Sequence, residues 1–274
     1  MPYVQTRAVT LFVSEAGSPH SPPLLFSNSL GTTHRMWDAV VAELSAEFRC
    51  IRYDTRGHGR STVAAAGYEI ADLADDAAAI LDNLGVETAH FAGLSLGGMT
   101  GQSFAIRHPE RLRSLTLMAT SAFMPPRAAW EERAALVRRE GPQAILDATL
   151  ERWFTAGFRH GCAATVQAVA DEFRALDREG YAAACEAIAR MDLRSSLGGV
   201  AAPTTIIAGH EDPATPPTMA QEIRDGVRGA QLSTLSPAAH LLAVERPSET
   251  TEILRAFVNA TERARAGRNV AANR

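Results

Sequence analysis

Short apolar runs alternate with longer amphipathic stretches along most of the chain. The runs rich in strand-forming residues are "AVTLFVSEAG", "PLLFSNS", "FRCIRYDTRG", "HFAGLS", "LRSLTLMATS", "PTTIIAGHED" and "AQLSTLS". Apolar residues recur every three or four positions, as in helices, in "MWDAVVAELSAEF", "EIADLADDAAAILDNLG", "MTGQSFAIRH" and "PSETTEILRAFVNATERA". Strands separated by helices predict an α/β fold with a mostly parallel sheet.

The alternation is interrupted between residues 123 and 199. In this interval the helical stretches "WEERAALVRREG", "QAILDATLERWF", "TVQAVADEFRAL" and "YAAACEAIARMD" follow one another without a strand pattern. Because the strand pattern resumes at Pro203, we interpret the helices as an insertion into one α/β domain. The predicted organisation is a discontinuous core of residues 1–122 and 200–264, an all-helical cap of residues 123–199, and a frayed polar tail of residues 265–274.

Composition narrows the possible partners. The chain has 274 residues, 46% of them hydrophobic, which is enough for one large core. A net charge of −4 argues against a nucleic-acid partner. The cysteines, Cys50, Cys162 and Cys185, lack the spacing of a metal or redox pair. Neither a signal-peptide pattern nor a membrane-spanning apolar run is present, so no membrane partner and a cytoplasmic location are expected.

The segment "HFAGLSLGGMTGQ", His90 to Gln102, carries the strongest chemical signal. It runs from a strand pattern into a helix pattern, with Gly93 and Gly97 on either side of Ser95. This Gly-x-Ser-x-Gly pattern is typical of a nucleophile elbow, where the serine adopts a strained conformation and the glycines prevent clashes. A glycine-rich turn with a serine N-cap is the structural alternative, and the presence of catalytic partners would decide between them.

A catalytic serine needs a histidine base, and the histidine needs a carboxylate to orient it. In hydrolases with this elbow the acid follows the serine along the chain and the histidine comes last. Glu211 and Asp212 follow the strand pattern "PTTIIAG"; we prefer Asp212 and keep Glu211 as the alternative. His240 satisfies both the order and the loop position. The sequence therefore predicts a triad of Ser95, Asp212 and His240.

An oxyanion hole would complete this site, because charge develops on the carbonyl oxygen during acyl transfer. The expected donors are the backbone N–H of Leu96, directly after the serine, and one N–H from the loop "SNSLGTTHRMW". By its position in that loop, Ser29 is the expected second donor, with Leu30 as the alternative.

Other polar clusters fit structural roles better. "YDTRGHGRS" contains Asp54, Arg56 and His58, but Asp54 comes too early in the chain for the triad acid, and the glycine spacing does not match a dinucleotide fingerprint. "GHED" has a histidine beside two acids without a second ligand cluster, so no metal site is expected.

Two pairs of cap residues have more than one interpretation. Trp130 and Arg133 lie three residues apart on one helical face, a spacing that could line a pocket. A core tryptophan beside a surface arginine is the simpler interpretation from the residues alone. Trp153 and Phe154 are likewise more typical of a cap core than of a substrate wall.

Several stretches together resemble the 3-oxoadipate enol-lactonases, which are capped members of the α/β-hydrolase fold. They are "SNSLGTTHRMWD", "RYDTRGHGRS", "HFAGLSLGGMTGQ", "LERWFTAGFR", "EGYAAACEAIARMDLR" and "AGHEDPATPP". The resemblance extends from about Leu11 to about Val258, insertion included. The elbow is common to very many hydrolases, whereas the "SNSLG" loop and the cap stretches are more specific. One departure is Ala238-Ala239 before His240, where many hydrolases of the wider fold have a glycine.

The resemblance implies an α/β-hydrolase fold with a mostly parallel eight-stranded sheet, flanking helices and a helical cap. It also implies a serine esterase without a cofactor that opens 3-oxoadipate enol-lactone, a small anionic lactone, to 3-oxoadipate in the breakdown of aromatic acids. Ser95, Asp212 and His240 carry over as the triad. Trp130 and Arg133 become substrate-binding residues, since a guanidinium can bind the substrate carboxylate.

Other functions stay open at this point. The same triad could serve a general carboxylesterase or a carbon-carbon bond hydrolase, and the shape and charge of the pocket would distinguish them. A ligand receptor built on a hydrolase scaffold is the more distant alternative. The sequence does not predict the oligomeric state.

Overall fold

The alternating pattern forms one eight-stranded sheet in a computed structural model that describes residues 2–65 and 67–272. The strand order is β1-β2-β4-β3-β5-β6-β7-β8. The strands are β1 (Tyr3–Gln5), β2 (Thr10–Ala16), β3 (Pro23–Ser27), β4 (Arg49–Tyr53), β5 (Ala89–Leu94), β6 (Leu112–Met118), β7 (Thr204–Gly209) and β8 (Gln231–Leu235). β2 pairs antiparallel with β1 and β4, and the remaining neighbours pair in parallel. The predicted mostly parallel, eight-stranded sheet is confirmed.

The first strand has no counterpart among the apolar runs of the sequence. β1 is three residues long, and Val4 is its buried residue. It pairs with β2 through the register Val4↔Leu11. A segment this short shows no periodicity, so its strand character comes from pairing with β2.

Helices cover both faces of the sheet. They are α1 (Asp38–Leu44), α2 (Ile70–Asn83), α3 (Leu96–Arg107), α4 (Arg127–Glu140), α5 (Leu146–Trp153), α6 (Ala156–Gly161), α7 (Ala163–Arg174), α8 (Arg178–Arg190), α9 (Pro217–Gly226), α10 (Leu242–Glu245) and α11 (Pro247–Ala272). Successive residues of β3 enter different hydrophobic clusters: Leu24 and Phe26 pack with α1 and α11, whereas Leu25 packs with α2 and α9. This alternation follows from the two-residue period of a strand.

The helices α4 to α8 all lie in the chain between β6 and β7. α4 packs against α8, and cap residues such as Val137, Phe173 and Tyr181 belong to the same apolar cluster as the α1 face of the sheet. These helices support our proposed division into a core of residues 1–122 and 200–264 and a cap of residues 123–199.

The last helix extends further than the sequence suggested. α11 continues to Ala272 and includes residues 265–272, which we had expected to form a frayed tail. The arginine and alanine residues in this stretch have high helix propensity, which favours continuation of the helix. Residues 273 and 274 lie outside the described residues. Within residues 2–65 and 67–272, no helix is both long and apolar enough to cross a membrane.

Candidate active site

Ser95 lies at the junction of β5 and α3. Its backbone has φ 55° and ψ −112°, a conformation that residues other than glycine rarely adopt. The Ser95 N–H donates to the Met118 carbonyl (2.9 Å), and the Thr120 hydroxyl donates to the Ser95 carbonyl (2.7 Å). These bonds to β6 and the following residues hold the strained turn in place.

The glycines of the motif are required by close backbone approaches. A Cβ atom on Gly93 would come within 2.1 Å of the Gly97 carbonyl oxygen. A Cβ atom on Gly97 would come equally close, 2.1 Å, to the carbonyl oxygen of Ser27 at the end of β3. The turn therefore packs backbone against backbone, which explains why both positions exclude a side chain.

Asp212 and His240 meet in the loops after β7 and β8. The distance from Asp212 Oδ2 to His240 Nδ1 is 2.8 Å, and both side chains are buried. Asp212 also accepts hydrogen bonds from the backbone N–H groups of Ala214 and Thr215 and from the Thr215 hydroxyl (2.7 Å). Glu211, the alternative acid, is exposed. The geometry therefore favours Asp212 as the acid.

The environment of Asp212 keeps its carboxylate ionised. Burial opposes ionisation, but the neighbouring His240 and the hydrogen bonds from Thr215 outweigh burial, so the pKa of Asp212 lies below its usual range. An ionised carboxylate at Nδ1 orients the imidazole and leaves Nε2 as the nitrogen that can take up a proton.

The backbone N–H groups that could form the oxyanion hole differ in the hydrogen bonds that they already make. Leu96 is the first residue of α3, so its N–H has no acceptor within the helix. The Ser29 N–H donates to Met36 Sδ (3.4 Å). The Leu30 N–H makes no hydrogen bond to another described residue. These contacts favour Leu30, the second choice from the sequence, over Ser29, because a donor already directed at a sulfur atom is less available to an oxyanion.

Ser95 and His240 line one cavity of about 400 Å³ between the sheet and the cap. The cap contributes Trp130, Arg133 and Trp153 to its walls, together with Met124, Arg152, Tyr181 and Ile188. A second cavity of about 410 Å³ lies beside α6, α7 and α10 and contains none of the candidate triad. We therefore place the candidate site in the first cavity.

Two guanidinium groups in this cavity converge on one hydroxyl. Arg133 Nη2 lies 3.1 Å and Arg152 Nη2 3.3 Å from Thr149 Oγ1. Within the described part of the chain, neither arginine forms an ion pair, and the buried Nε of Arg133 has no hydrogen-bond partner. Burial and the nearby Arg133 both lower the pKa of Arg152. The cap side of the cavity is therefore electropositive.

Comparisons with known proteins agree with this architecture. The family model for the alpha/beta hydrolase fold matches residues 22–152. 3-Oxoadipate enol-lactonase 2 of Acinetobacter baylyi is 38% identical, and the match covers 87% of this chain and 89% of that protein. This chain belongs to the α/β-hydrolase family. It is a hydrolase and resembles the enol-lactonase branch, as predicted.

Two further relatives show which α/β-hydrolases this chain resembles. The crystal structure of the enol-lactonase from Burkholderia xenovorans LB400 superposes with a TM-score of 0.92 at 37% identity, covering 94% of this chain and 100% of that one. A Variovorax paradoxus protein that carries the name carbamate hydrolase RutD is 34% identical over 83% of this chain and 88% of its own length. The likeness to lactonases is thus accompanied by a weaker likeness to proteins named for another hydrolytic reaction.

The polar cluster of "YDTRGHGRS" has structural partners in this α/β-hydrolase. Arg56 forms a buried ion pair with Asp76 (2.7 Å). His58 Nε2 accepts the N–H of Gly31 (3.1 Å) and so supports the loop that carries Leu30. Among the described residues, no group of three or more His, Cys, Asp and Glu side chains could hold a metal ion.

Sequence reasoning missed two residues that line the cavity, Thr215 and Arg152. Thr215 stands three residues after Asp212 and could have been suspected as a hydrogen-bond donor to it. Arg152 lies in the "LERWFTAGFR" stretch, and it lines the cavity from α5. Of the neighbouring aromatic pair, Trp153 lines the cavity, whereas Phe154 is buried against Phe158.

Proposed function

We propose that this hydrolase opens a small lactone that carries a carboxylate, namely 3-oxoadipate enol-lactone, through an acyl-enzyme formed on Ser95. One observation carries the proposal: a serine on a strained elbow and a histidine paired with a carboxylate share a cavity with two arginines that have no acidic partner among the described residues. The names of the lactonase relatives support the same substrate.

The core half of the cavity supplies the chemistry. Ser95 Oγ attacks the lactone carbonyl carbon while His240 Nε2 takes up the hydroxyl proton. Asp212, held ionised by its partners, stabilises the resulting imidazolium. The N–H groups of Leu96 and Leu30 donate to the oxyanion of the tetrahedral intermediate.

Collapse of this intermediate breaks the ring C–O bond, and the leaving oxygen departs as an enolate. His240 returns its proton to that oxygen, which gives an enol that converts to the ketone. Water then attacks the acyl-enzyme with His240 again acting as the base, releasing the carboxylate product and restoring Ser95. These steps use the three triad side chains, two backbone N–H groups and one water molecule.

The cap half selects the substrate. A carboxylate near Arg133 and Arg152 would accept charge-assisted hydrogen bonds, including one from the buried Nε of Arg133. Trp130, whose ring centroid lies 5.7 Å from the Arg133 guanidinium, provides an apolar wall beside that charge. A neutral ester would gain nothing from the arginines and would leave them partly buried without a counter-charge.

The test compares three substrates at one pH: freshly generated 3-oxoadipate enol-lactone, a neutral activated acetate ester, and a small neutral carbamate. Wild-type protein should show a kcat/KM for the lactone at least about a hundredfold above those for the neutral compounds, as expected for recognition of a buried charge. Ser95→Ala serves as the blank for each substrate. Equal or faster turnover of the ester would indicate a general carboxylesterase, and preference for the carbamate would indicate the reaction for which the Variovorax relative is named.

A further inference from the structure

The loop that carries His240 is hydrogen-bonded directly to the cap. The backbone N–H groups of His240 and Leu241 both donate to the carbonyl oxygen of Trp153, at 3.1 and 3.0 Å. Trp153 and the preceding Arg152 line the substrate cavity with their side chains. One short stretch of the cap thus contacts the cavity and also holds the backbone of the candidate base.

The buried carboxylate of Glu245 makes a second connection between the cap and the loop that carries His240. Glu245 is 6% exposed and does not line the cavity that contains Ser95. Its Oε2 accepts the N–H of Ala239 (2.9 Å), directly before His240. Its Oε1 accepts the N–H (3.1 Å) and the hydroxyl (2.5 Å) of Thr155 in the cap. Glu245 therefore links Thr155, two residues after Trp153, to Ala239, directly before His240.

We propose that Glu245 is a positioning residue that clamps cap residues 153–155 to the loop of residues 239–241, and so fixes the imidazole of His240 relative to Ser95. Glu245 acts through His240 and does not touch the substrate. The inference rests on the proposed role of His240 as the catalytic base.

Charge explains why a carboxylate suits this position. Three donors meet at Glu245, and an anion with two acceptor oxygens can satisfy all of them. An amide of the same shape offers only one acceptor oxygen, and its NH2 group would face the N–H of Ala239 or the donors of Thr155. Glu245→Gln therefore removes part of the clamp without removing volume.

The experiment measures kcat and KM of Glu245→Gln on the enol-lactone and on an activated acetate ester. We expect kcat to fall about ten- to a hundredfold on both substrates, the range for losing a hydrogen bond to a charged group. KM should change less than about threefold, since the cavity walls are unaltered. Glu249→Gln, which removes a partly exposed carboxylate nearby on α11, is the matched control and should retain wild-type kinetics.

The decisive measurement repeats the substitution in a His240→Ala background. If Glu245 acts through His240, Glu245→Gln should cause no further loss of the residual hydrolysis, because no base is left to position. A further loss comparable to that in the wild-type background would overturn the proposal and assign Glu245 a general structural role. A rise in KM with unchanged kcat would overturn it equally, since the clamp would then serve only substrate binding.

Thr155 keeps the proposal testable if Glu245→Gln does not fold. Thr155→Val deletes the hydroxyl that donates to Glu245, and Thr155→Ser retains it. Thr155→Val should lower kcat about tenfold, and Thr155→Ser should restore most of it. Equal activity of the two variants would contradict the clamp. The proposed function fails separately, because it depends on the substrate preference of the wild type and not on these ratios.

Discussion

The two halves of the cavity are built in different ways. In the core half, Ser95, Asp212 and His240 stand at the ends of parallel strands and are held mainly by backbone contacts and short hydrogen bonds. In the cap half, Arg133 and Arg152 are partly buried helix side chains that share the Thr149 hydroxyl and have no acidic partner in the described part of the chain.

This difference assigns the two halves different tasks. Strand ends and a strained turn hold reacting atoms in fixed positions, as acyl transfer requires. Long guanidinium side chains on helices can adjust to a ligand, and under the proposed function their charge selects anionic substrates. Variants in the core half should therefore change turnover, whereas variants in the cap half should change affinity for anions.

The largest effect is expected in the core half from Asp212→Asn. The asparagine NH2 group can donate a hydrogen bond to Nδ1, which favours the imidazole tautomer that cannot act as the base, and the neutral amide no longer stabilises the imidazolium. We expect kcat to fall roughly ten-thousandfold. Glu211→Gln, which changes the exposed neighbour, should leave kcat within about twofold of wild type, and steady-state kinetics of both variants would identify the acid. A severe loss in Glu211→Gln alone would reverse the assignment.

The next effect also lies in the core half and tests its backbone packing. Gly97→Ala places a methyl group about where the Ser27 carbonyl oxygen already lies, so β3 and α3 must separate. We expect a loss of about 3 kcal/mol in the free energy of unfolding, at the upper end for overpacking, together with loss of activity. Gly157→Ala in α6 is the control, because its Cβ would meet open space and the helix should become slightly more stable. Equal denaturation midpoints would show that the elbow tolerates a side chain.

The cap half should respond to charge removal with a change in KM. For Arg133→Gln and Arg152→Gln, we expect KM for the anionic lactone to rise about ten- to a hundredfold each, with kcat changed little. The neutral ester should be hydrolysed as before. Arg139→Gln, on an exposed part of α4, supplies the matched loss of charge. Should the two substrates respond alike, the arginines would be structural.

The two halves also differ in how far the sequence predicted them. The elbow was predictable because its geometry demands glycine at positions 93 and 97, and the order of the chain then indicated Asp212 and His240. The sequence led us to expect Ser29 and not Leu30 as the second oxyanion donor, because backbone donors have no side-chain signature and the contact of the Ser29 N–H with Met36 is visible only in three dimensions.

In the cap, α4, α5, α7 and α8 were predictable from their period, whereas the short helix α6 and the residues facing the cavity were not. Arg133 came from the family resemblance, and Arg152 was missed because its direction depends on how α5 packs against its neighbours, α7 among them. β1 escaped notice because three residues carry no period, and its structure comes from its neighbour in the sheet.

The smallest effect on catalysis is expected at another histidine-carboxylate pair of the core. His90, in β5, lies 2.7 Å from the Ser114 hydroxyl and 3.1 Å from Glu262, outside the cavity. Burial, followed by the nearby positive charges of Arg113 and Arg265, lowers the pKa of His90 to about 3. A buried histidine beside an acid is thus not by itself a catalytic base, and His90→Gln should leave kcat unchanged at pH 7.

The same substitution should alter how stability depends on pH. Because the pKa of His90 is about 3 in the folded chain and about 6.5 when unfolded, the unfolded state binds more protons between these values. Its contribution to stability is complete above pH 6.5 and is lost progressively as the pH falls towards 3, at about 1.4 kcal/mol per unit of pKa difference. His90→Gln should flatten this acid branch in denaturation series, whereas His20→Gln, at an exposed position, should retain the wild-type slope. A wild-type slope in His90→Gln would mean that Glu262 keeps the imidazole protonated, which would make this pair resemble the catalytic one more closely than its burial indicates.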